Sequence, residues 1–151
     1  MQLTEDDYLW FADRALDGMA TILTDLGDDR ANRRPPLPGA NTPFAIVTHC
    51  LGVLEFWVGA LVAGRVVERD RAAEFTASGP VAGLVERVVA AKARLRADLA
   101  VADPAAPPRG EVPEKYRGTP AARTQGGVLQ HVYEELAQHH GQLELTRDVL
   151  M

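Results

Sequence analysis

The chain contains four histidines, and three of them fall within ten residues of one another: His131, His139 and His140. Glu135 lies midway between His131 and His139, so these residues follow one another at four-residue steps. On an α-helix such a step brings neighbouring side chains onto one face, with Cβ atoms about 5–6 Å apart. Imidazole nitrogens and carboxylate oxygens are good ligands for zinc and similar divalent ions. The spacing therefore predicts two ligands of a metal site, Glu135 together with either His139 or His131.

The fourth histidine, His49, lies in an apolar stretch, with Ala45, Ile46, Val53 and Phe56 at helical spacing around it. This pattern predicts a side chain that faces the core. A histidine in that position can meet a Glu–His pair on a facing helix, which is how helix bundles often build metal sites. A hydrogen-bonded core histidine and an exposed i,i+4 pair on the other helix explain the same spacings, and spacing alone leaves both interpretations open.

The sequence also predicts the roles of three residues close to these candidate ligands. Cys50 is the only cysteine, so it makes no intramolecular disulfide, and it is predicted to be an inert buried thiol. His140 is one step around the helix from His139 and is predicted to lie at the surface or beside the ligands. Gln142, three residues beyond His139, is predicted to support that histidine.

Four helical segments are predicted to position these residues, and no strand pattern competes with them. The first begins at Thr4, with Asp7 completing a capping box, and is expected to end at Gly27. The second begins with the threonine–proline pair at residues 42–43 and is expected to run to about Arg69.

The third helix is predicted to begin at residues 78–80 and the last at about Thr124. Long connections rich in proline occupy residues 28–41 and 103–123. The pattern predicts one all-α domain over residues 1–151. It is a four-helix bundle with two long crossover connections rather than a simple up-down-up-down path.

Composition excludes several functional classes. Hydrophobic residues make up 46% of the chain and charged residues 25%, which is typical of folded globular proteins. The net charge of −5 argues against a nucleic-acid partner. Residues 44–63 have the length of a membrane span, but His49 and Glu55 would be costly there, so a buried core helix is expected and no membrane partner. The N-terminus does not resemble a signal peptide, so a cytoplasmic protein is expected.

Two segments of the sequence resemble the DinB/YfiT superfamily, and they carry the four histidines, Glu135, Cys50 and Gln142: NTPFAIVTHCLGVLE at residues 41–55 and HVYEELAQHHGQ at residues 131–142. The resemblance extends over essentially the whole chain and implies a four-helix bundle. It is strongest to the mycothiol-dependent branch, which includes mycothiol S-transferases and the metal-binding domain of maleylpyruvate isomerase. Many relatives outside this branch have a histidine where this chain has Glu135.

The resemblance implies a function and a ligand set. It places the metal ligands at His49, Glu135 and His139, and thereby selects His139 over His131. It implies a divalent ion, with zinc as first choice and nickel or manganese as alternatives. It also implies a low-molecular-weight thiol, mycothiol in particular, that attacks a small electrophile in a detoxifying transferase reaction. A non-catalytic metal-binding stress-response bundle and a thiol-dependent isomerase are the alternatives.

A homodimer is also expected, from the family resemblance and from the many aromatic and apolar residues on the second helix.

Overall fold

Helix α1 (Glu5–Ala31) begins at the predicted capping box. The Thr4 hydroxyl accepts a hydrogen bond from the Asp7 N–H at 3.1 Å, and the Asp7 carboxylate accepts one from the Thr4 N–H at 2.9 Å. The structure, a computed structural model, describes residues 1–151. The predicted end at Gly27 is instead a break, where φ is +70°, a value that favours glycine. The helix resumes for one further turn and ends at Ala31.

Helix α2 (Pro43–Val53) begins where it was predicted, with the Thr42 hydroxyl accepting a hydrogen bond from the Ala45 N–H at 3.0 Å. It continues directly into a π-helical segment, Leu54–Ala60. The prediction that this helix runs to about Arg69 is wrong. The chain turns at Gly64, where φ is +76°, and the Arg65 N–H bonds back to the Gly59 carbonyl at 2.8 Å.

Residues 61–80 form a connection that we call the strap, which runs back along α2 from its end to its beginning. Its contacts show this direction, since Arg65 meets Gly59, Arg69 lies over the ring of Phe56, and Gly79 lies against Phe44. The strap includes a four-residue helix, α3 (Arg71–Glu74). The strap joins α2 to the next long helix, α4 (Val81–Leu99), which points in the same direction. The strap returns the chain to the beginning of α2, and Arg94, further along α4, pairs with Glu55 further along α2.

The remaining long helices are α4 (Val81–Leu99) and α5 (Gln125–Leu150), and both begin within a few residues of their predicted positions. The Thr124 hydroxyl caps α5 by accepting from the Gly127 N–H at 3.1 Å. Both α1 and α2 pack against α4 and α5. His49 lies against His139, and Trp57 lies against His131, so α2 and α5 are antiparallel. The prediction of an all-α bundle is confirmed. Its path is not a simple up-down-up-down one, because the strap joins the parallel helices α2 and α4. The crossover is therefore the strap rather than residues 28–41 and 103–123 as predicted, since α1 runs parallel to α5 and so antiparallel to α2.

A core cluster of 31 buried hydrophobic residues draws on all four long helices. The stretch Pro43–Ala60 is long and apolar enough to cross a membrane by length and composition, but 78% of it is buried inside the bundle. Because α2 is covered by α4, α5, part of α1 and the strap, it is apolar on most of its faces.

Candidate metal centre

Helices α2 and α5 bring His49, Glu135 and His139 together, and one ligand atom from each residue lies within 4.8 Å of the other two. His49 comes from the middle of α2 and is only 5% exposed. Glu135 and His139 come from one face of α5, and each side chain is 24% exposed. The cluster is therefore deep on its α2 side and open to solvent on its α5 side.

The distances within the cluster suit a small divalent ion. Glu135 Oε2 is 3.5 Å from Nε2 of His49 and 3.5 Å from Nε2 of His139. Two ligand atoms at about 2.0–2.2 Å from a tetrahedral zinc ion are roughly 3.3–3.6 Å apart. Two imidazoles and one carboxylate also form a donor set that zinc sites use when they keep a position open. The residues present fit a divalent metal.

The other ring nitrogen of each histidine has a partner that fixes the ring. Nδ1 of His49 lies 3.0 Å from Oε1 of Glu74, a buried carboxylate. Nδ1 of His139 lies 2.8 Å from Oε1 of Gln142, which is the support predicted from the sequence. When Nδ1 donates to an oxygen, the neutral ring presents the lone pair of Nε2, the form in which imidazole binds a metal.

The cluster consequently needs a positive charge at its centre. With both Nδ1 atoms donating, Nε2 of His49, Nε2 of His139 and the Glu135 carboxylate present acceptors to one another. When protons rather than a metal ion occupy the cluster, hydrogen bonds from His139 and His49 hold the pKa of the Glu135 carboxyl far below its usual range, against the effect of burial. The hydrogen bond to Glu135 raises the pKa of His139, again against burial. A proton on His139 and a metal ion are alternative ways to supply that charge.

The other two histidines lie outside the cluster. His131 is buried, with its ring centroid 4.5 Å from that of Trp57 and 5.0 Å from that of Tyr116. His140 faces α1, where the absence of a side chain at Gly18 leaves room for its ring. His131 and His139 therefore have different surroundings, although both lie at four-residue steps from Glu135. His131 packs among aromatic rings, and His139 belongs to the cluster.

Cys50 is completely buried in the core, as predicted. Burial, with smaller contributions from the negative charges of Glu135 and Glu74, raises the pKa of its thiol far above the usual range. A thiol in this state is a poor nucleophile and a poor ligand.

Three residues of the strap that surround His49 were not identified from the sequence. Glu74 bonds to its Nδ1, Arg69 bonds to Glu74, and the ring of Phe75 stacks on the imidazole with centroids 4.9 Å apart. These residues lie 20 to 26 positions after His49 and follow no helical period with it. The sequence carries only a weak signal for them, a buried-type phenylalanine next to an acidic residue.

The all-α bundle, with a Glu–His pair on its last helix and a histidine on the facing helix, agrees with the mycothiol-dependent DinB-like class that the sequence resembles. The sequence model of the Mycothiol-S-transferase family matches residues 9–151, which is nearly the whole chain. The chain belongs to the mycothiol-S-transferase family. Comparisons with curated proteins and with solved structures give no significant match.

Proposed function

We propose that this protein is a divalent-metal-dependent thiol S-transferase in which His49, Glu135 and His139 hold the ion. Its thiol substrate is a low-molecular-weight thiol, mycothiol in the first instance, and its second substrate is a small electrophile. The observation that carries the proposal is that one possible ligand atom from each of these three residues lies within 4.8 Å of the other two. The cluster is open to solvent on one side, and the chain belongs to the mycothiol-S-transferase family.

The three proposed ligands have different roles in the site. His49 supplies a neutral ligand from the core, whereas Glu135 and His139 approach from the solvent side and leave the cluster accessible there. Glu135 supplies the one negative charge among the three ligands. A divalent ion bound there would lower the pKa of a thiol at its open position and hold it as a thiolate. Zinc is the first choice for this N/O donor set, and nickel and manganese are alternatives.

In the transferase reaction the thiol sulfur forms a bond to an electrophilic carbon. The leaving group departs with its electron pair and the thiol proton passes to solvent. Cys50 takes no part in this reaction, because it is buried on the core side of α2. We expect both substrates to be small molecules, and we expect the protein to act in the cytoplasm without nucleic acid or membrane partners.

Metal content and conjugation test the proposal directly. We expect close to one divalent ion per chain in the purified protein, with His49→Ala and His139→Ala each losing most of it. His140→Ala is the matched control, because His140 is adjacent in sequence but faces α1, and it should retain the ion. Full metal content in both ligand variants would contradict the ligand assignment.

The same protein, loaded with zinc, nickel or manganese in turn, is then incubated with mycothiol, bacillithiol or glutathione and a generic electrophile such as a chlorodinitrobenzene. We expect metal-dependent conjugation with mycothiol that the His139→Ala variant lacks. Bound metal without conjugation for any thiol would favour the non-catalytic metal-binding bundle. Thiol-dependent isomerisation of a dicarboxylate without conjugation would favour the isomerase.

A further inference from the structure

Glu74 is a buried carboxylate, 7% exposed, that contacts a candidate metal ligand without belonging to the ligand cluster. We propose that Glu74, held in place by Arg69, is a positioning residue that fixes the ring orientation and the Nδ1–H tautomer of His49. This inference rests on the proposed metal site, since it assigns the residue that prepares one ligand of that site.

The hydrogen bonds around Glu74 indicate which ring nitrogen of His49 carries the proton. Arg69 donates to both oxygens of Glu74, at 2.8 Å from Nε and 2.9 Å from a terminal nitrogen. A carboxylate whose two oxygens both accept from one arginine offers acceptor atoms to its other neighbours. Nδ1 of His49 lies 3.0 Å from Oε1 of this carboxylate and 3.5 Å from the Arg69 terminal nitrogen that already donates to the same oxygen. The shorter contact is to the acceptor, so we assign Nδ1 as the donor. The lone pair of Nε2 is then left facing Glu135 and His139.

The charges explain why a carboxylate can be buried at this position. An isolated carboxylate in the core is costly, and a paired one much less so. Arg69 neutralises Glu74, so the pair adds no net charge behind His49 and leaves it a neutral ligand. The guanidinium is itself placed over the ring of Phe56, 5.9 Å from its centroid.

The helix surface is shaped to admit this carboxylate. Gly52 is one turn beyond His49 on α2, and a Cβ atom there would lie 1.9 Å from Oε2 of Glu74. Glycine therefore allows the strap to approach α2 closely enough for the 3.0 Å contact to His49. Phe75, the residue after Glu74, stacks on the His49 ring at an interplanar angle of 28° and restrains it from the same side.

The first test reads the tautomer in the full-length metal-free protein. Long-range ¹H–¹⁵N spectra, with the four histidines assigned, distinguish a ring protonated at Nδ1 from one protonated at Nε2. We expect neutral His49 in the wild-type chain to be protonated at Nδ1. A ring protonated at Nε2 would overturn the proposal, and this result requires no variant to fold.

The second test compares Glu74→Gln with the matched control Glu68→Gln, an exposed acidic residue of the same strap. We expect Glu74→Gln to raise the Kd for zinc about 10- to 100-fold, the usual effect of removing a residue that orients a metal-bound histidine. It should also alter the visible absorption spectrum of the cobalt-loaded protein, whereas Glu68→Gln changes neither. Circular dichroism confirms that both variants remain folded.

The outcomes separate this inference from the proposed function. Zinc binding within about threefold of wild type in a folded Glu74→Gln variant would overturn the positioning role and leave the metal site intact. A wild-type chain that binds no divalent ion would instead overturn the proposed function, while the tautomer measurement still reports on Glu74 and His49. If Glu74→Gln fails to fold, the milder Glu74→Asp variant takes its place in the zinc titration, and unchanged affinity there overturns the proposal.

Discussion

Individual side chains in the cluster are held by different means. His49 is held by two contacts from the strap, the Glu74 hydrogen bond and the Phe75 stack. His139 has a single support, Gln142 on its own helix, and is partly exposed. We therefore expect the α2 ligand to be the rigid one and the α5 pair to adjust when substrate arrives.

Cys50 gives a prediction about reactivity. Because the thiol is completely buried and its pKa is raised, we expect it to be unreactive toward a disulfide reagent such as dithionitrobenzoate in the folded protein. It should react fully once the chain is unfolded in guanidinium chloride. Rapid modification of the native protein would contradict its burial. Cys50→Ala should retain metal binding, which separates the thiol from the site.

The residue scale also shows which parts of the site the sequence could predict. His49, Glu135 and His139 could be identified because helical period and family resemblance both refer to spacing along regular helices. Glu74 and Arg69 could not, since they reach His49 from a strap whose path depends on tertiary contacts. No periodicity relates an irregular segment to the helix that it covers.

At the scale of elements, the close approach of the strap to α2 depends on one missing side chain. We predict that Gly52→Ala displaces the Glu74 carboxylate, because the new Cβ would lie 1.9 Å from its Oε2. The flexible carboxylate can move away, so the fold should survive. The Kd for zinc should rise about 10-fold or more, the order expected when a histidine loses its orienting partner.

Gly83→Ala is the matched control for this variant. Gly83 lies on α4, and a Cβ atom there has nothing within 4 Å. Alanine is favoured over glycine within a helix by up to about 1 kcal/mol, so we expect a slightly raised melting temperature and unchanged zinc affinity. Zinc titrations and thermal melts of both variants check the pair. Equal zinc affinity for Gly52→Ala and wild type would contradict the steric argument.

The end of α2 shows why element boundaries were only partly predictable. The second helix was predicted to run to about Arg69, but the chain leaves it after Ala60. Arg65 reverses the chain there, pairing with Asp98 of α4 at 2.8 Å and also with Glu55. Asp98 lies 33 residues after Arg65, and Glu55 lies ten residues before it. Local helix propensity therefore cannot predict either ion pair. The helix starts, by contrast, were predicted well because Thr4, Thr42 and Thr124 cap them locally.

At the scale of the whole molecule, the pairing of Glu55 links the π-helical segment, the strap and α4. Burial alone would raise the pKa of Glu55, but hydrogen bonds from Arg65 and Arg94 outweigh it and hold the pKa below the ordinary value of 4.5. A carboxyl with a lowered folded-state pKa stabilises the fold above about pH 4.5 and loses that contribution as pH falls through the lower value.

We therefore predict that Glu55→Gln lowers the melting temperature at neutral pH and flattens its decline between about pH 5 and pH 3. Glu86→Gln, an exposed substitution on α4, should leave the pH profile as in wild type. Thermal melts followed by circular dichroism across this range check the prediction. Parallel profiles for wild type and Glu55→Gln would show that Glu55 contributes nothing to the acid response.

The homodimer stays a prediction, but its basis changes with the structure. The aromatic residues of the second helix face inward, with Trp57 only 4% exposed, so they do not offer an interface. The exposed aromatics are Trp10 and Phe11 of α1. Sedimentation velocity at micromolar concentration measures the state, and a monomer at every concentration tested would contradict the dimer.

The burial of α2 between helices that lie far apart in the sequence has a consequence during synthesis. The most apolar helix, Pro43–Ala60, leaves the ribosome well before α5, which supplies much of its cover and two of the three candidate ligands. At about 5–20 residues per second, the intervening stretch of roughly 65 residues takes several seconds to emerge. Over that interval the nascent chain presents an apolar helix that lacks its α5 cover, a target for chaperones. The ion-binding cluster is assembled only after translation has passed His139.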